Sequence, residues 1–481
     1  MERQRTSSKN LDAGPDSDTV VAIATPLGQG GLGVVRLSGP RALPIVQSLF
    51  RSSQGRSTAL ASASSHTLHH GFLHDGRDIL DEVVVGIFKA PRSYTGEDVV
   101  EISCHGGPII LKAVLEACRT AGARLAGPGD FTRRAYLNGK MDLSQAEAVA
   151  DLISSRSEAA RRLALEQLNG GFSRALKPLR EALTELLANL EANLDFVEED
   201  IPPVPRKELL ERLTTLLESF DDFIARVSEG RLLRAGARLA IVGKPNAGKS
   251  SLFNRLVNFE RSIVTSVPGT TRDTLEEAVE IGGFGLVLID TAGWRETSDP
   301  VEELGVSRTE AALEAADGVL FVADSSRDLE EEDRRLARRV GPKPAVAVLN
   351  KADLPRRLRE SEVVTLLKDE ARRGSVPAIA TSSVTGEGLS ELKSLLPKVF
   401  FGPSQPEVSE TQALANARHF ELLSGAREAL WAARQAALAG LSEECVSLEL
   451  KRSFAALGEI TGENVQEEIL DRIFSKFCVG K

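Results

Sequence analysis

The sequence predicts a multidomain α/β protein, and three observations lead to that prediction. Its 481 residues correspond to roughly three domains of ~150 residues each. Short apolar runs separated by glycine-rich turns fill residues 19–137, whereas helix-period apolar spacing begins near residue 138. Between residues 232 and 400, β-branched runs alternate with helical ones, a pattern typical of βαβ units and a mostly parallel sheet.

These changes of texture predict five consecutive segments. Residues 1–18 lack an apolar run and are expected to be a disordered tail. An N-terminal α+β domain is expected over 19–137, the first part of an all-α helical domain over 138–231, an inserted P-loop domain over 232–400, and the second helical part over 401–481. Helical texture on both sides of the insert indicates one discontinuous helical domain.

Individual elements follow from local patterns. In the N-terminal domain the strand candidates are TVVAIATP, GLGVVRLSG, EVVVGIFKAP and DVVEISCHGG, and the helix candidate is PIILKAVLEACRTAG. Ser144 and Glu147 have the S-x-x-E spacing of a capping box, so a helix is predicted to start there. The insert offers the strand candidates RLAIVG, GLVLIDTAG, GVLFVADSS, AVAVLNKAD and PAIATSS.

Composition excludes several classes of protein. A net charge of −10 and a pI near 5.4 disfavour a general nucleic-acid binder, so any RNA contact needs a local basic patch. The four cysteines are scattered without a CxxC pair, which suits a reducing compartment better than a disulfide framework or a zinc site. The sequence contains no uninterrupted apolar run of about 18 residues, so no membrane span is predicted. We therefore expect a cytoplasmic protein.

The segment GKPNAGKS, Gly243–Ser250, matches the G-x-x-x-x-G-K-S pattern between a strand candidate and a helix candidate. In such a loop, glycines let backbone N–H groups close around phosphates, and Lys249 offers a cation to the β and γ phosphates. Ser250 supplies a hydroxyl to Mg²⁺. The sequence therefore predicts nucleotide binding here.

Three further motifs predict that the nucleotide is GTP. DTAG, Asp290–Gly293, ends an apolar run, and its carboxylate can hold Mg²⁺ through water. NKAD, Asn350–Asp353, follows a later run, and a carboxylate there can accept two hydrogen bonds from guanine that adenine cannot supply. The segment Ser382–Val384 occupies the usual base-backing loop. This insert resembles the translation-factor-like (TRAFAC) GTPases.

The predicted GTP-binding residues lie in five segments of the insert. They are Asn246, Ala247, Gly248, Lys249, Ser250, Ser251; Thr265, Ser266, Val267, Pro268, Gly269, Thr270, Thr271; Asp290, Thr291, Ala292, Gly293; Asn350, Lys351, Ala352, Asp353; and Ser382, Ser383, Val384. Thr271 is the predicted second hydroxyl ligand of Mg²⁺, beside Ser250. Trp294 stands where Ras-like enzymes carry a water-orienting glutamine, so another group must position the nucleophile.

The segment TSVPGTTRDT resembles a loop of potassium-dependent GTPases that are activated when their GTPase domains dimerise. That resemblance implies a K⁺ site formed by Asn246 with oxygens of Thr265, Val267 and Thr270. A cation beside the β and γ phosphates stabilises charge that develops in the transition state. The alternative for Asn246 is a plain turn residue, since asparagine is common in turns.

The last residues, Cys478-Val479-Gly480-Lys481, fit a prenylation signal poorly. Together with SYTGEDVVEISCHGGPIIL, AGPGDFTRRAYLNGKMDLSQAEAVADLI and the GTPase insert, the ending FCVGK resembles one family, the bacterial tRNA-modification GTPases called MnmE or TrmE. The resemblance covers nearly everything from Thr19 onward.

The resemblance implies a homodimer that works with an FAD-binding partner of the MnmG/GidA type as a heterotetramer. Together they add an aminomethyl or carboxymethylaminomethyl group to C5 of the wobble uridine (U34) of tRNA. The implied one-carbon donor is 5-formyltetrahydrofolate or 5,10-methylenetetrahydrofolate, bound by the N-terminal domain.

By motif match, the implied folate-binding residues are Arg36, Glu101, Lys140 and Lys481, and Glu302 is the implied acid that orients the hydrolytic water. Arginine and lysine suit the folate carboxylates, although each of these residues could instead be an ordinary surface charge.

Two of the four cysteines are considered as nucleophiles because of their sequence positions. Cys478 is a candidate nucleophile towards C6 of the uracil ring, with a packing role as the alternative. Cys104 and His105 look like a catalytic pair, but neighbours in a strand point to opposite faces, so we expect no such pair.

Two other functions stay open from the sequence. A ribosome-assembly GTPase usually pairs this kind of insert with a basic RNA-binding module, and neither a basic GxxG loop nor a basic tail is found. A membrane signalling GTPase would need an anchor stronger than CVGK.

Overall fold

The computed structural model describes residues 18–53, 60–76, 78–195, 205–260, 276–290, 310–371, 376–402, 416–463 and 465–481. They divide into two compact units. Unit 1 contains the described residues up to Ala150 together with Gly458–Lys481, and unit 2 contains those within Asp151–Leu457. Each unit has its own β-sheet, so the protein is of mixed α/β class.

Unit 1 is built on a seven-stranded sheet. Its strands are β1 (Val20–Ile23), β2 (Gly33–Ser38), β3 (Phe50–Ser52), β4 (Thr67–Asp75), β5 (Asp78–Phe88), β6 (Val99–Cys104) and β7 (Arg124–Leu125). Their order is β3-β4-β5-β6-β2-β1-β7, and every pair is antiparallel except β1–β7. β1, β2, β5 and β6 match the predicted strands. β4, TLHHGFLHD, was missed because Thr67 is its only β-branched residue and three histidines interrupt its apolar residues.

The helices of unit 1 are α1 (Ala42–Leu49), α2 (Pro108–Thr120), α3 (Asp130–Leu137) and most of α4 (Leu143–Ser154). α1 and α2 cover one face of this sheet, whereas Phe131 of α3 packs against Val20 and Ala22 on the other face. Leu111 and Val114 of α2 join Val35 and Ile102 of the sheet in one buried core. α2 is the predicted helix, whereas α1 and α3 have eight residues each, too short for a clear helical period.

The predicted capping box at Ser144 and Glu147 is wrong. The reciprocal bonds instead join Asp142 and Gln145: Gln145 N–H donates to Asp142 Oδ1 at 2.8 Å, and Asp142 N–H donates to Gln145 Oε1 at 2.9 Å. Ser144 lies inside the helix, where its Oγ donates to Asp142 Oδ1 at 2.7 Å. Asp142 caps the helix two residues before Ser144, because aspartate and serine are both good N-cap residues and the helix begins at Leu143.

Unit 2 combines long helices with a six-stranded sheet. Its helices are α5 (Glu158–Leu168), α6 (Gly171–Asp195), α7 (Arg206–Ala235), α8 (Lys249–Glu260), α9 (Glu331–Val340), α10 (Glu360–Ala371), α11 (Leu389–Phe400), α12 (Ala417–Ala439) and α13 (Glu443–Thr461), whose last residues, with α14 (Glu467–Phe474), belong to unit 1. Its strands are β8 (Ala237–Val242), β9 (Glu276–Ile281), β10 (Phe284–Asp290), β11 (Gly318–Asp324), β12 (Ala345–Asn350) and β13 (Ala378–Ala380).

α6, α7, α12 and α13 pack beside one another although nearly 200 residues separate α7 from α12. Arg427 of α12 makes a two-pronged ion pair with Asp221 of α7, at 2.6 and 3.0 Å. Lys451 of α13 pairs with Glu191 of α6 at 2.7 Å. No helix among the described residues is both long and apolar enough to cross a membrane.

The sheet of unit 2 has the order β13-β12-β11-β8-β10-β9, with all pairs parallel except β9–β10. The predicted strands all form. Because β8 lies between β10 and β11, the loop after Val242 starts next to Asp290, which ends β10. Ligands of open parallel sheets bind at this carboxyl edge, beside a point where the strand order reverses.

The β9–β10 hairpin docks on α5. Ala159 N–H donates to the Gly283 carbonyl in the hairpin turn at 3.0 Å, and Glu158 N–H donates to Glu280 Oε1 at 3.3 Å. Phe284 stacks on Phe401 at 4.8 Å between ring centroids. Phe284 also belongs to one apolar cluster with side chains of α5 and α7, so the hairpin packs against both helices.

Candidate functional site

The loop between β8 and α8 closes tightly around two glycines. A Cβ atom on Gly243 would lie 2.1 Å from the Val322 carbonyl oxygen. Gly248 has a φ of +92°, and a Cβ there would lie 2.1 Å from Asn350 Nδ2. Both positions therefore require glycine, as the predicted phosphate-binding loop does.

Lys249 is folded back onto this loop. Its Nζ donates to the carbonyls of Gly243 and Lys244, both at 2.8 Å, and the residue is 8 % exposed. Burial lowers the pKa of Lys249, although the carboxylates of Asp290 and Glu332 oppose that effect. The ammonium is thus partly desolvated beside two carbonyl groups of the loop.

Ser250 and Ser251 follow in the first turn of α8, where free N–H groups and the helix dipole favour an anion. Ser250 in the first turn of α8 and Asp290 at the end of β10 both carry oxygen donors, the ligand type that Mg²⁺ prefers. Asn246 is exposed with a φ of +62°, so it occupies the left-handed region, which asparagine tolerates.

Asn350 connects the phosphate loop to the loop after β13. Its Nδ2 donates to the Ala247 carbonyl at 3.1 Å, and its Oδ1 accepts from Ser383 N–H at 3.1 Å and Ser383 Oγ at 3.0 Å. The residue is 2 % exposed. One buried amide therefore joins two of the predicted GTP-binding segments.

The remaining predicted base-recognition residues surround Asn350. Ser382 Oγ donates to Asp353 Oδ1, and Lys351 Nζ donates to Asp324 Oδ2 at 2.7 Å. The contact with Lys351 helps to hold the pKa of Asp324 below its usual value even though burial acts to raise it. Arg255 of α8 donates to the carbonyls of Ser383 and Val384 at 3.0 and 2.9 Å. α8, which carries Lys249, is thereby tied to the base-backing loop.

Part of the prediction lies outside the described residues. This part comprises Thr265, Ser266, Val267, Pro268, Gly269, Thr270, Thr271, Thr291, Ala292, Gly293 and Glu302. It includes one Mg²⁺ ligand, three K⁺ ligands and the predicted water-orienting acid.

A second cluster lies in unit 1 around Arg36. Arg36 Nε and Nη2 both contact Glu101 Oε1 at 2.8 Å, across the β2–β6 pair, and Arg36 Nη1 donates to the Gly480 carbonyl at 3.3 Å. The guanidinium also lies 5.7 Å from the ring centroids of both Tyr94 and Phe131. The structure thus brings three of the predicted folate-binding positions together: Arg36, Glu101 and the segment ending in Lys481.

Backbone contacts fix the segment Cys478–Lys481, which we call the tail segment. Val479 forms an antiparallel bridge with Pro128, and Phe131 N–H donates to the Lys481 carbonyl at 3.2 Å. Gly480 has a φ of +96°, and a Cβ there would lie 2.5 Å from the Ile23 carbonyl oxygen. The tail segment is therefore packed into unit 1 and held there by backbone hydrogen bonds.

The other predicted residues of unit 1 differ in position. Burial and the nearby Arg36 lower the pKa of the half-buried Lys481, against the opposing effect of Glu101 and Cys478. Cys478 is exposed. Lys140 Nζ donates to the Pro91 carbonyl at 3.0 Å, and no contact with Arg36 or Glu101 is found for it among the described residues.

Cys104 and His105 do not act as a pair. Cys104 is buried with its Sγ towards the Gly33 carbonyl, whereas His105 Nδ1 contacts Asp81 Oδ1 at 2.7 Å. Burial foremost, and then Asp81, raises the pKa of Cys104 to about 11. This thiol is accordingly protonated near neutral pH.

Sequence reasoning missed Lys244, Tyr94 and Phe131. Lys244 occupies an open position of its motif, and its partners come from α9. Tyr94 lies in the segment SYTGEDVV and Phe131 in GPGDFTRR. Only their aromatic side chains, close in sequence to charged residues, could have indicated a role for them.

Comparison with known proteins gives matches along almost the whole chain. A family model described as the N-terminus of the GTP-binding protein TrmE matches residues 19–140, and one described as the MnmE helical domain matches residues 143–478. A protein of Moorella thermoacetica named tRNA modification GTPase MnmE is 45 % identical over 96 % of this chain and 99 % of its own length. A protein of Heliobacterium modesticaldum with the same name is 43 % identical over 96 % and 99 %.

Among solved structures, the G domain of the FeoB iron transporter of T. maritima is 29 % identical, covering 34 % of this chain and 98 % of that one. The TM-score of that match is 0.25.

Proposed function

Because the chain belongs to the MnmE (TrmE) family of tRNA modification GTPases, we infer that it is a GTP-hydrolysing enzyme that acts in tRNA modification. The observation that carries the nucleotide part is the double engagement of Asn350. It joins the Gly243–Ser250 loop to the loop of Ser382–Val384, so phosphate and base determinants form one site. GTP and GDP are the proposed ligands.

Guanine recognition is assigned to Asp353. A carboxylate accepts hydrogen bonds from N1–H and the 2-amino group of guanine, and adenine has neither donor. Ser382 Oγ donates to this carboxylate and orients it. The ammonium of Lys351 is held by a different carboxylate, that of Asp324. A site built to satisfy particular hydrogen bonds strongly rejects a ligand that lacks them.

On the phosphate side, Lys249 exchanges its two carbonyl partners for the β and γ phosphates. Mg²⁺ would be held by Ser250 and Thr271 near Asp290, and K⁺ by Asn246 with Thr265, Val267 and Thr270. When bound, these ions supply positive charge against the phosphates during hydrolysis. Glu302 is the proposed group that orients water.

For the modification itself, we propose that unit 1 binds 5-formyltetrahydrofolate or 5,10-methylenetetrahydrofolate around Arg36. Glu101 can accept from amide-like donors of a pterin, and the ammonium of Lys481 suits a carboxylate of the glutamate tail. The seating of the tail segment beside Arg36 supports this assignment. Lys140 is the fourth proposed folate-binding residue.

The proposed product is tRNA carrying an aminomethyl or carboxymethylaminomethyl group on C5 of U34. The chain would act as a homodimer with an FAD-binding partner of the MnmG/GidA type, in the cytoplasm. Cys478 is a proposed nucleophile towards C6 of uracil, because its exposed position leaves the thiol accessible.

Nucleoside mass spectrometry of bulk tRNA tests the proposal. A strain lacking this gene is complemented with the intact protein, Asp290→Ala, Lys481→Ala or Cys478→Ser. The intact protein should restore C5-modified U34, whereas the first two variants should not. Unchanged nucleosides in the deletion strain would remove the modification function, and full activity of Cys478→Ser would remove the thiol step alone.

A further inference from the structure

Lys244, the second residue of the phosphate loop, ends in an ion pair that the loop motif does not require. Its Nζ lies 2.7 Å from Asp333 Oδ2 and 3.2 Å from Glu330 Oε2. The side chain of Lys244 is 13 % exposed and that of Asp333 is 3 % exposed. The ammonium of Lys244 is thus paired with a buried carboxylate of α9 although the residue belongs to the phosphate loop.

Asp333 is the main partner of Lys244. It sits in the first turn of α9, where its Oδ2 also accepts from Glu330 N–H at 2.9 Å in a reciprocal cap. Glu330 itself is mostly exposed, so solvent screens its charge. Burial acts to lower the pKa of Lys244, but the two carboxylates outweigh burial and raise it. Lys244 therefore stays charged and paired.

The backbone of the same residue organises the loop. The Lys244 carbonyl accepts from Ala247 N–H at 3.2 Å and from Lys249 Nζ at 2.8 Å. The first contact closes the turn around Pro245 and Asn246, and the second holds the phosphate-binding ammonium. Fixing the side chain of Lys244 on α9 limits how far this carbonyl can rotate.

The far end of the loop is held separately. Asn350 Nδ2 donates to the carbonyls of Ala247 and Gly248 at 3.1 and 3.4 Å. The loop is therefore fastened at its end by an amide from β12 and at its start by the Lys244–Asp333 pair.

We propose that Lys244 is a positioning residue for nucleotide binding, which acts through Lys249 and the loop backbone and does not itself touch the phosphates. The proposal rests on guanine nucleotide binding at this loop, proposed above. Its role is to keep the loop in the binding shape before nucleotide arrives, so that less ordering accompanies binding. The opposing view is that the ion pair only stabilises the start of α9.

The test uses the full-length protein and fluorescence titration with mant-GDP and mant-GTP, together with thermal unfolding. Lys244→Met keeps the aliphatic stem and removes the charge, whereas Lys244→Arg keeps a charge that can reach Asp333. We expect Lys244→Met to raise the Kd of both nucleotides about tenfold, and Lys244→Arg to stay within about threefold of the native Kd. The Kd of the two nucleotides should rise by the same factor because both carry a β phosphate.

Arg338→Met is the matched control. Arg338 also lies on α9, but it pairs with Glu370 of α10 at 2.7 Å and does not reach the loop. It should bind both nucleotides with native Kd whatever its unfolding temperature. If Lys244→Met binds with native Kd despite a lower unfolding temperature, or if Arg338→Met loses as much affinity, the pair only stabilises α9 and the proposal is wrong.

Asp333→Asn provides a second approach if Lys244→Met does not fold. Asp333→Asn alone should raise the Kd of both mant-nucleotides about tenfold, and a native Kd would contradict the proposal. Where Lys244→Met folds, the double variant should lose no more affinity than either single one. Additive losses would overturn the proposal. A native protein that binds neither mant-nucleotide would instead overturn the proposed nucleotide site.

Discussion

Asn350 and Asp353 lie three positions apart in the proposed nucleotide site, but their side chains differ in how many protein groups they contact. The side chain of Asn350 is fully engaged by protein groups, whereas Asp353 has one oxygen on Ser382. A residue that is already saturated with partners can only support the site. Asp353 is therefore the residue whose substitution should change what is bound.

Asp353→Asn should lower affinity for GTP by about 10²-fold or more, because an amide offers guanine N1–H and the 2-amino group only one acceptor and adds a mismatched donor. Affinity for xanthosine triphosphate, whose 2-oxo group can accept from the new amide, should rise. Competition of each nucleotide against mant-GDP measures both changes. Unaltered preference for GTP would exclude Asp353 as the guanine ligand.

The four cysteines should differ sharply in reactivity towards iodoacetamide. Burial raises the pKa of Cys104 to about 11 and that of Cys118 to about 12. At pH 8 the thiolate of Cys104 is then about one part in a thousand, and this fraction rises as the pH approaches the pKa. Cys445 and Cys478 are exposed.

Peptide mass spectrometry of the folded protein at pH 8 should therefore find Cys445 and Cys478 alkylated and the other two spared. In urea all four should react at similar rates. Rapid alkylation of Cys104 without urea would contradict its burial.

At the scale of elements, the β9–β10 hairpin has two connections. Its β10 strand ends at Asp290 in the nucleotide site, and its turn docks on α5 through Gly283. Phe284 lies at the start of β10 in a small apolar cluster with Leu163 of α5 and Leu233 of α7. A strand that begins in this cluster and ends at the proposed Mg²⁺ site suits the transmission of nucleotide state to the helices.

Phe284→Ala should lower the free energy of unfolding by about 3 kcal/mol, because it removes a side chain that is 7 % exposed and stacked on Phe401. Urea denaturation measures this change. Leu354→Ala, at a position that is 44 % exposed in the same unit, should change it by less than about 0.5 kcal/mol. Equal effects of the two substitutions would contradict a packed dock.

The sequence predicted the elements whose signals are local. The strand-loop-helix around Gly243–Ser250 needed only a motif and its flanks, and five strands of unit 2 were recognisable as β-branched runs. β9 was missed because three of the six residues of EEAVEI are glutamates, which interrupt its apolar residues.

Pairing between distant residues could not be predicted in the same way. The contact of Lys244 with Asp333 and that of Arg36 with Glu101 depend on how strands and helices are arranged, which no short window records. The family resemblance nominated Arg36 and Glu101 as site residues but did not pair them. Asp142 displaced Ser144 as the cap because two good candidates stood two residues apart.

For the whole molecule, the nucleotide loop and the Arg36 cluster belong to different compact units. Gly480→Ala should separate their functions, since a methyl group there meets the Ile23 carbonyl and the φ of +96° disfavours alanine. We expect affinity for 5-formyltetrahydrofolate to fall at least about tenfold while the Kd of mant-GDP stays native.

Isothermal titration calorimetry with the folate measures the first quantity. Gly76→Ala is the control, because Gly76 also has a positive φ in unit 1 but no atom lies within 4 Å of an added Cβ. Native folate affinity in Gly480→Ala would show that the tail segment does not form the folate site.

The contact between Arg36 and Gly480 spans 444 positions of the chain. At a synthesis rate of about 5–20 residues per second, residue 480 leaves the ribosome about 20 to 90 s after Arg36 does. During that interval the sheet of unit 1 and the phosphate loop of unit 2 can already form. A nascent chain interrupted before Cys478 would then carry the phosphate loop without the tail segment, so translation of the codons for Cys478–Lys481 decides whether the Arg36 cluster is completed.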